Sequence, residues 1–403
     1  MRTGTMRRVA AGVVAAAGLA LVPVVPAHAD AVRDADWALD ALHARDAWRT
    51  TKGRGVTVAV LDTGVDDSHP DLTGQVLRGK DLIGFGDGRG DDAWARHGTG
   101  MAGIIAGHGH GPGGEDGVMG IAPEARILPV RVILEDKDPQ RKKARTTRGG
   151  ALSEGIRWAA DHGADVINLS LGDDSRTAHP EAQEDDAIQY ALSKGVVVVA
   201  SAGNGGEQGN RASYPAAYPG VIAVAAVDRY GTRAAFSTRR WYAAVSAPGV
   251  DVVIADPNRR YYEGWGTSTA SAYVSGTVAL IRSAHPKLSP AQVKRLLEDT
   301  ARDAPPGGRS DSVGYGLVDP AAALAAADHL RPQSPAPSPA GYPRRYFGPG
   351  PGTARAAAAV HGDTFGDGIA AAFAAGGAVL VGVAAALWLR PRLTTRRSRP
   401  QPW

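Results

Sequence analysis

Apolar residues fall in runs of strand length along the chain: VTVAVLD at 56–62, ARILPVRVI at 125–133, DVINLSLG at 165–172, VVVVASAGN at 196–204 and VIAVAAVD at 221–228. Their hydrophobicity is continuous rather than alternating, which predicts strands buried on both faces, as in a parallel sheet covered by helices. Between the runs, ALSEGIRWAADHG and EDDAIQYALSKG have helical spacing, acidic residues early and a glycine stop. The pattern is that of an α/β layered domain with a mostly parallel central sheet. No internal repeat interrupts it.

Three of the runs end in polar or glycine-rich stretches, LDTGVD, NLSLGDD and ASAGNGG. Sites in open parallel sheets form outside the carboxyl ends of strands, so these loops are expected to converge on one crevice. Asp62, Ser170 and Asn204 are then the first places to look for chemistry.

Two further apolar segments have a different character. Arg2, Arg7 and Arg8 precede VAAGVVAAAGLALVPVV and the small-residue triplet Ala27-His28-Ala29, which predicts a signal peptide over 1–29. Gly368 to Leu389 carries no charge and is long enough, at ~1.5 Å per residue, to cross a ~30 Å hydrocarbon layer. Arg390, Arg392, Arg396, Arg397 and Arg399 follow it, so one transmembrane helix at 367–389 is expected, with a basic cytoplasmic tail at 390–403 and everything before it outside. The Pro/Gly-rich stretch 331–366 cannot pack a core and reads as a linker. That leaves an N-terminal extension at 30–55 and a catalytic-sized domain at 56–330.

Composition narrows the chemistry. The 403 residues include no cysteine, which excludes thiol catalysis and disulfide staples. The net charge of +4, with much of the arginine in the terminal cluster, makes no case for nucleic acid. LEDKDPQRKKARTTRGG at 134–150 has six basic residues and no apolar pattern, and is expected to be a solvated, mobile loop. His108 and His110 lie in a glycine-rich stretch without a carboxylate at ligand spacing, and read as loop residues rather than a metal site.

The candidate chemical residues are each ambiguous alone. Asp62 ends an apolar strand before Thr63-Gly64, where a turn aspartate is ordinary. His97 opens HGTGMAGIIAG, whose apolar run reads as a buried helix; alone it is a neutral core or capping group, but with a carboxylate on its far nitrogen it becomes a general base. Ser268 stands at the start of TSTASAYVSGTVALI, where free backbone amides and the helix dipole favour developing negative charge, or where small residues merely pack closely. Asn204 before Gly205-Gly206 is either a turn residue or a side-chain donor.

Read together, the order Asp62, His97, Asn204, Ser268 with the flanks VAVLDTGVD, SHPDL, HGTGMAGIIAG, INLSLG, ASAGN and GTSTASAYVSGTVAL resembles the subtilisin-like serine proteases. The likeness runs on through LSPAQVKRLLEDTA and GYGLVDPAAAL. It implies a three-layer subtilisin-like fold and a serine endopeptidase acting on polypeptides. By the same resemblance, Ser268 attacks the scissile carbonyl, His97 carries its proton, Asp62 orients His97, and Asn204 with the Ser268 amide binds the oxyanion. Ser170, Leu171 and Gly172 would pair with the substrate backbone. Asp173 and Asp174, just beyond, read as solvated loop carboxylates. Catalysis would require no metal or cofactor; structural calcium is common in the family, but no ligand cluster can be assigned.

Two positions depart from the family pattern, Thr269 in place of Met and Ala272 in place of Pro. Ala keeps the helix, whereas Thr269 puts the packing beneath the serine in question. The membrane helix, Pro-rich spacer and short leader resemble the mycosins, the membrane-anchored subtilases of type VII secretion, although the lack of cysteine does not fit them well. That likeness implies type VII secretion machinery as a partner, and an extension that wraps the domain through Trp37, Leu39, Leu42 and Trp48. The competing readings are a structural component that braces a secretion complex and a general degradative subtilase.

Overall fold

The computed structural model describes residues 31–334, Ala93 excepted. Three short helices, α1 (Ala31–Asp34), α2 (Trp37–Ala41) and α3 (Ala44–Ala47), precede β1 (Thr57–Asp62) and the two-residue β2 (Lys80–Asp81). Helix α4 (Arg96–Ala106) leads into β3 (His108–His110) and β4 (Asp116–Met119), then β5 (Arg126–Arg131), α5 (Arg141–Thr147), α6 (Ala151–Asp161), β6 (Val166–Leu169), α7 (Ala182–Ser193), β7 (Val197–Ser201) and β8 (Ile222–Val227). The chain continues through β9 (Ala243–Pro248), β10 (Val252–Asp256), β11 (Arg260–Gly264), α8 (Thr267–Ala284), α9 (Pro290–Asp299) and α10 (Pro320–Ala327).

Seven strands form one sheet in the order β2-β5-β1-β6-β7-β8-β9, and every neighbouring pair is parallel. Along β1, Val58 and Val60 face one buried layer with Met101 and Val274, while Ala59 and Leu61 face the other with Ile156. Strand β7 divides likewise, Val197 and Val199 against Val198 and Ala200. The period-two alternation of side chains therefore feeds two cores, which is why the sequence runs are apolar throughout. The result is the expected three-layer α/β architecture. Helix α8 runs through one layer with nearly all of its length buried, and its small residues permit that: a Cβ on Gly276 would collide with Ile121.

The five predicted sheet strands are present within one to three residues of their expected ends. Two segments differ from expectation. Residues 134–150 are not an open loop but contain α5, which buries Ala144, pairs Arg141 with Asp136 at 2.7 Å and sets Lys143 over the Phe85 ring at 4.3 Å. Its anchors are charged side chains, so no apolar stripe betrayed it. Residues 108–119 form the hairpin β3–β4, in which His110 Nδ1 lies 2.6 Å from the buried Asp71 carboxylate.

The extension is built into the domain. Leu39 and Leu42 join the core that contains α8, Trp37 Nε1 donates to the Asp251 carbonyl at 2.8 Å, and Trp48 Nε1 donates to the Ile121 carbonyl at 2.8 Å. The segments expected at 1–29, 367–389 and 390–403, and all but residues 331–334 of the linker expected at 331–366, lie outside the described residues. Among the described residues no helix is long and apolar enough to cross a membrane.

Candidate active site

Asp62 ends β1 fully buried, and its Oδ1 accepts the Thr63 amide at 2.7 Å. His97 lies in the first turn of α4, with Nδ1 2.9 Å from both Asp62 oxygens. Ala95 enters that helix in the left-handed region (φ 54°), a strain of order 1 kcal/mol that turns the chain sharply before His97. Gly98 follows because any Cβ there would collide with the Gly64 carbonyl oxygen. The backbone on either side is pinned: the His97 amide donates to Glu135 Oε1 at 2.7 Å, and the Gly98 amide to Thr63 Oγ1 at 3.1 Å.

Ser268 is the second residue of α8. Its hydroxyl donates to the Ser170 carbonyl at 3.0 Å, and the Ser170 hydroxyl donates to the Ser268 carbonyl at 2.9 Å. Asn204, beyond the end of β7, accepts on Oδ1 from the Thr267 amide and hydroxyl at 3.0 and 2.9 Å. That fixes the amide plane and leaves Nδ2 as a donor. A Cβ placed on Gly266 (φ 148°) would sit 3.6 Å from the Ser268 amide and 3.7 Å from Asn204 Nδ2. Both nitrogens thus lie within van der Waals reach of one point beside Gly266, whose positive φ favours glycine.

The Thr269 hydroxyl donates to the Gly266 carbonyl at 2.8 Å and reaches the Pro248 carbonyl at 3.4 Å, while Ala272 is fully buried in the helix. The polar residue in place of Met is therefore satisfied and fastens the turn ahead of the serine.

These groups open on one cleft of about 880 Å³, lined among others by His97, Glu135, Ser170, Leu171, Gly172, Asn204 and Ser268. The three strand-end loops thus converge as their sequence positions predict. Ser170 is buried among Asn168 and Ser271, whereas Gly172 is exposed. Sequence reasoning missed Glu135. It follows the strand end of β5 by a few residues, the same positional signal that marked the other loops, but it was submerged in the charge-rich segment around it.

Burial opposes charge on His97, but the carboxylate and hydrogen bonds of Asp62, together with Glu135 and Asp136, outweigh it and push the imidazole up to about 9. Burial raises the Glu135 carboxyl above its ordinary value. The imidazolium that forms on proton transfer is thus well supported.

A carboxylate–imidazole pair whose ring lines the same cleft as a serine at a helix N-terminus, at the carboxyl edge of a parallel sheet, fits a serine hydrolase site of the α/β kind. The chain belongs to the subtilase family, peptidase S8, whose profile matches residues 53–316. It is 37% identical over 319 residues to fervidolysin of Fervidobacterium pennivorans, covering 72% of this chain and 43% of that protein. It is 38% identical over 274 residues to subtilisin DY of Bacillus licheniformis, covering 68% and 92%. The chain thus spans less than half the length of fervidolysin. Among solved structures, the MycP3 protease from the type VII (ESX-3) secretion system matches with a TM-score of 0.59 at 33% identity, over 72% of this chain and 88% of that one. MycP1 from Mycobacterium smegmatis matches with a TM-score of 0.60 at 31% identity, over 72% and 84%.

The family's structural calcium is not assignable to residues seen here. Among the described residues no group of three or more His, Asp or Glu side chains is placed to hold a metal. The carbonyl oxygens of Gly114, Asp116 and Gly117, which a cation could use, are taken by the Arg33 guanidinium at 2.9 to 3.3 Å.

Proposed function

We propose that this protein is a membrane-anchored serine endopeptidase whose peptidase domain lies outside the cell and works with type VII secretion machinery. The carrying observation is that His97, hydrogen-bonded to the buried Asp62, lines the same cleft as Ser268 and Asn204. Ser268 Oγ attacks the scissile carbonyl carbon while His97 takes its proton. Asp62 holds the ring and stabilises its charge. The oxyanion rests on the two donors, the C–N bond breaks, and His97 hands the proton to the leaving amine. Water then attacks the acyl-enzyme by the same route and frees Ser268. When the Ser268 hydroxyl swings toward His97, the Ser170 carbonyl is released to accept an amide of a peptide lying along Ser170–Gly172.

The charge-free run Gly368–Leu389 and its following arginines support the anchor and orientation. The likeness to MycP1 and MycP3 and the extension packed into the domain support the secretion association. Labelling with a fluorophosphonate probe and mapping the modified residue tests the chemistry. The label is expected on Ser268, and Ser268→Ala is expected to lose both label and about 10⁶-fold in turnover, the size known for this nucleophile in the family. Undiminished hydrolysis by Ser268→Ala would reject the reading. An epitope within 390–403 that is digested by protease added to intact cells would reject the orientation.

A further inference from the structure

We infer that Trp265 is a specificity-determining platform for the leaving-group side of the substrate, selecting an apolar side chain just after the cleaved bond. The inference rests on the serine endopeptidase reading of the same cleft. Four large hydrophobic side chains are exposed among the described residues: Tyr230, Trp241, Trp265 and Leu330. Of these only Trp265, 64% exposed, lines the cleft that contains Ser268. Isolated exposed aromatics need no explanation, but one at the mouth of a reactive cleft and three residues before its nucleophile does.

Its position gives its side. Across the sheet, His97 belongs to the β1 end of the cleft, Ser170–Gly172 follow β6, and Asn204 follows β7. Phe236 lies beyond β8, and its carbonyl accepts the Gly206 amide at 2.7 Å, just past Asn204. Trp265 packs on Phe236 with ring centroids 4.8 Å apart and planes inclined by 47°. A peptide paired with Ser170–Gly172 brings its acyl half to Ser268 from the β6 side. The indole stands on the other flank, where the departing half must pass.

The ring is also held in place. Phe236 packs against it, and the Gly266 amide donates to the Gly249 carbonyl at 2.9 Å, fixing the backbone directly after it. An aromatic side chain packed on a neighbouring ring and still 64% exposed offers burial to an apolar side chain. It offers nothing comparable to glycine.

The test uses acyl transfer. An ester substrate forms the acyl-enzyme, and added Phe-amide or Gly-amide competes with water. The amine nitrogen attacks the acyl carbon, the new C–N bond forms as the C–Oγ bond to Ser268 breaks, and His97 passes the amine proton back to Ser268. The unmodified protein is expected to partition to Phe-amide at least ~5-fold better than to Gly-amide, given one well-buried aromatic contact. Equal partitioning would overturn the proposal. Trp265→Ala should collapse that preference toward unity while Trp265→Phe keeps most of it, and a preference that survives Trp265→Ala would also overturn it. Release of the ester's leaving group reports the acylation chemistry separately, so loss of the endopeptidase reading shows as no acyl-enzyme at all.

Discussion

Ser170 and Ser268 hold each other through two hydrogen bonds, each hydroxyl donating to the other residue's carbonyl oxygen at 2.9 to 3.0 Å. The pair ties the end of β6 to the first turn of α8, elements that are 98 residues apart in sequence. The Ser268 hydroxyl is thereby engaged with the Ser170 carbonyl, and it must leave that bond before it can give its proton to a base.

Removing the Ser170 hydroxyl should separate these functions. Ser170→Ala keeps the backbone carbonyl but deprives the buried Asn168 amide of an acceptor and the Ser268 carbonyl of a donor. A cost of about 1–3 kcal/mol in stability is expected, with a fall in kcat and little change in KM. Denaturant melts and peptide kinetics on one preparation check it.

Asn204→Ala removes one oxyanion donor and should lower kcat by about 10² to 10³ with KM little changed, the effect known for this donor in the family. Gly266→Ala is expected to do at least as much, because a side chain there is strained at φ 148° and its Cβ would lie 3.6 and 3.7 Å from the Ser268 amide and Asn204 Nδ2, where an oxyanion bound by both must sit. Stopped-flow acylation of a chromogenic peptide reads both. If Gly266→Ala retains native acylation, the space between the donors is not where the oxyanion sits.

The pH dependence follows from His97. Its neutral form is the base, and its ionisation is raised from 6.5 to about 9. kcat/KM is therefore expected to climb as pH rises through about 9. Stability should run the other way: the contribution of charged His97 is fully present below 6.5 and is lost as pH climbs through about 9. Glu135→Gln removes one of the negative charges that raise the ring, so the acidic limb of kcat/KM should shift to lower pH. A limb that stays fixed would show that Glu135 only positions the backbone.

Much of this was legible because buried parallel strands announce themselves twice, by unbroken apolar runs and by polar residues at their carboxyl ends. Asp62, Ser170 and Asn204 were found that way, and His97 and Ser268 by their places at helix starts. Less legible elements lack either signal. Strand β9 reads AAVSAP, its residues too small to stand out, and α5 is held by Arg141 and Lys143 rather than by an apolar stripe. The roles of Glu135 and Gly266 depend on distances between loops, which no local pattern encodes.

The extension offers a final prediction, about what clamps the β3–β4 hairpin. Arg33 Nε donates to the Gly117 carbonyl, and Nη2 donates to those of Gly114 and Asp116. Several glycines around this hairpin have positive φ, which lets successive carbonyls turn toward one point. The guanidinium at that point ties the carbonyls together, and it belongs to a segment whose Leu42 is fully buried in the core with α8. Leu42→Ala should cost about 2–5 kcal/mol through the cavity it leaves. Arg33→Ala should speed amide exchange across 109–117 without affecting β7, whose hydrogen bonds lie in the middle of the sheet. Because an arginine already occupies those oxygens, a chelator should leave exchange in 109–117 unchanged in the unmodified protein. Faster exchange on chelation would show that a metal, and not Arg33, holds the hairpin.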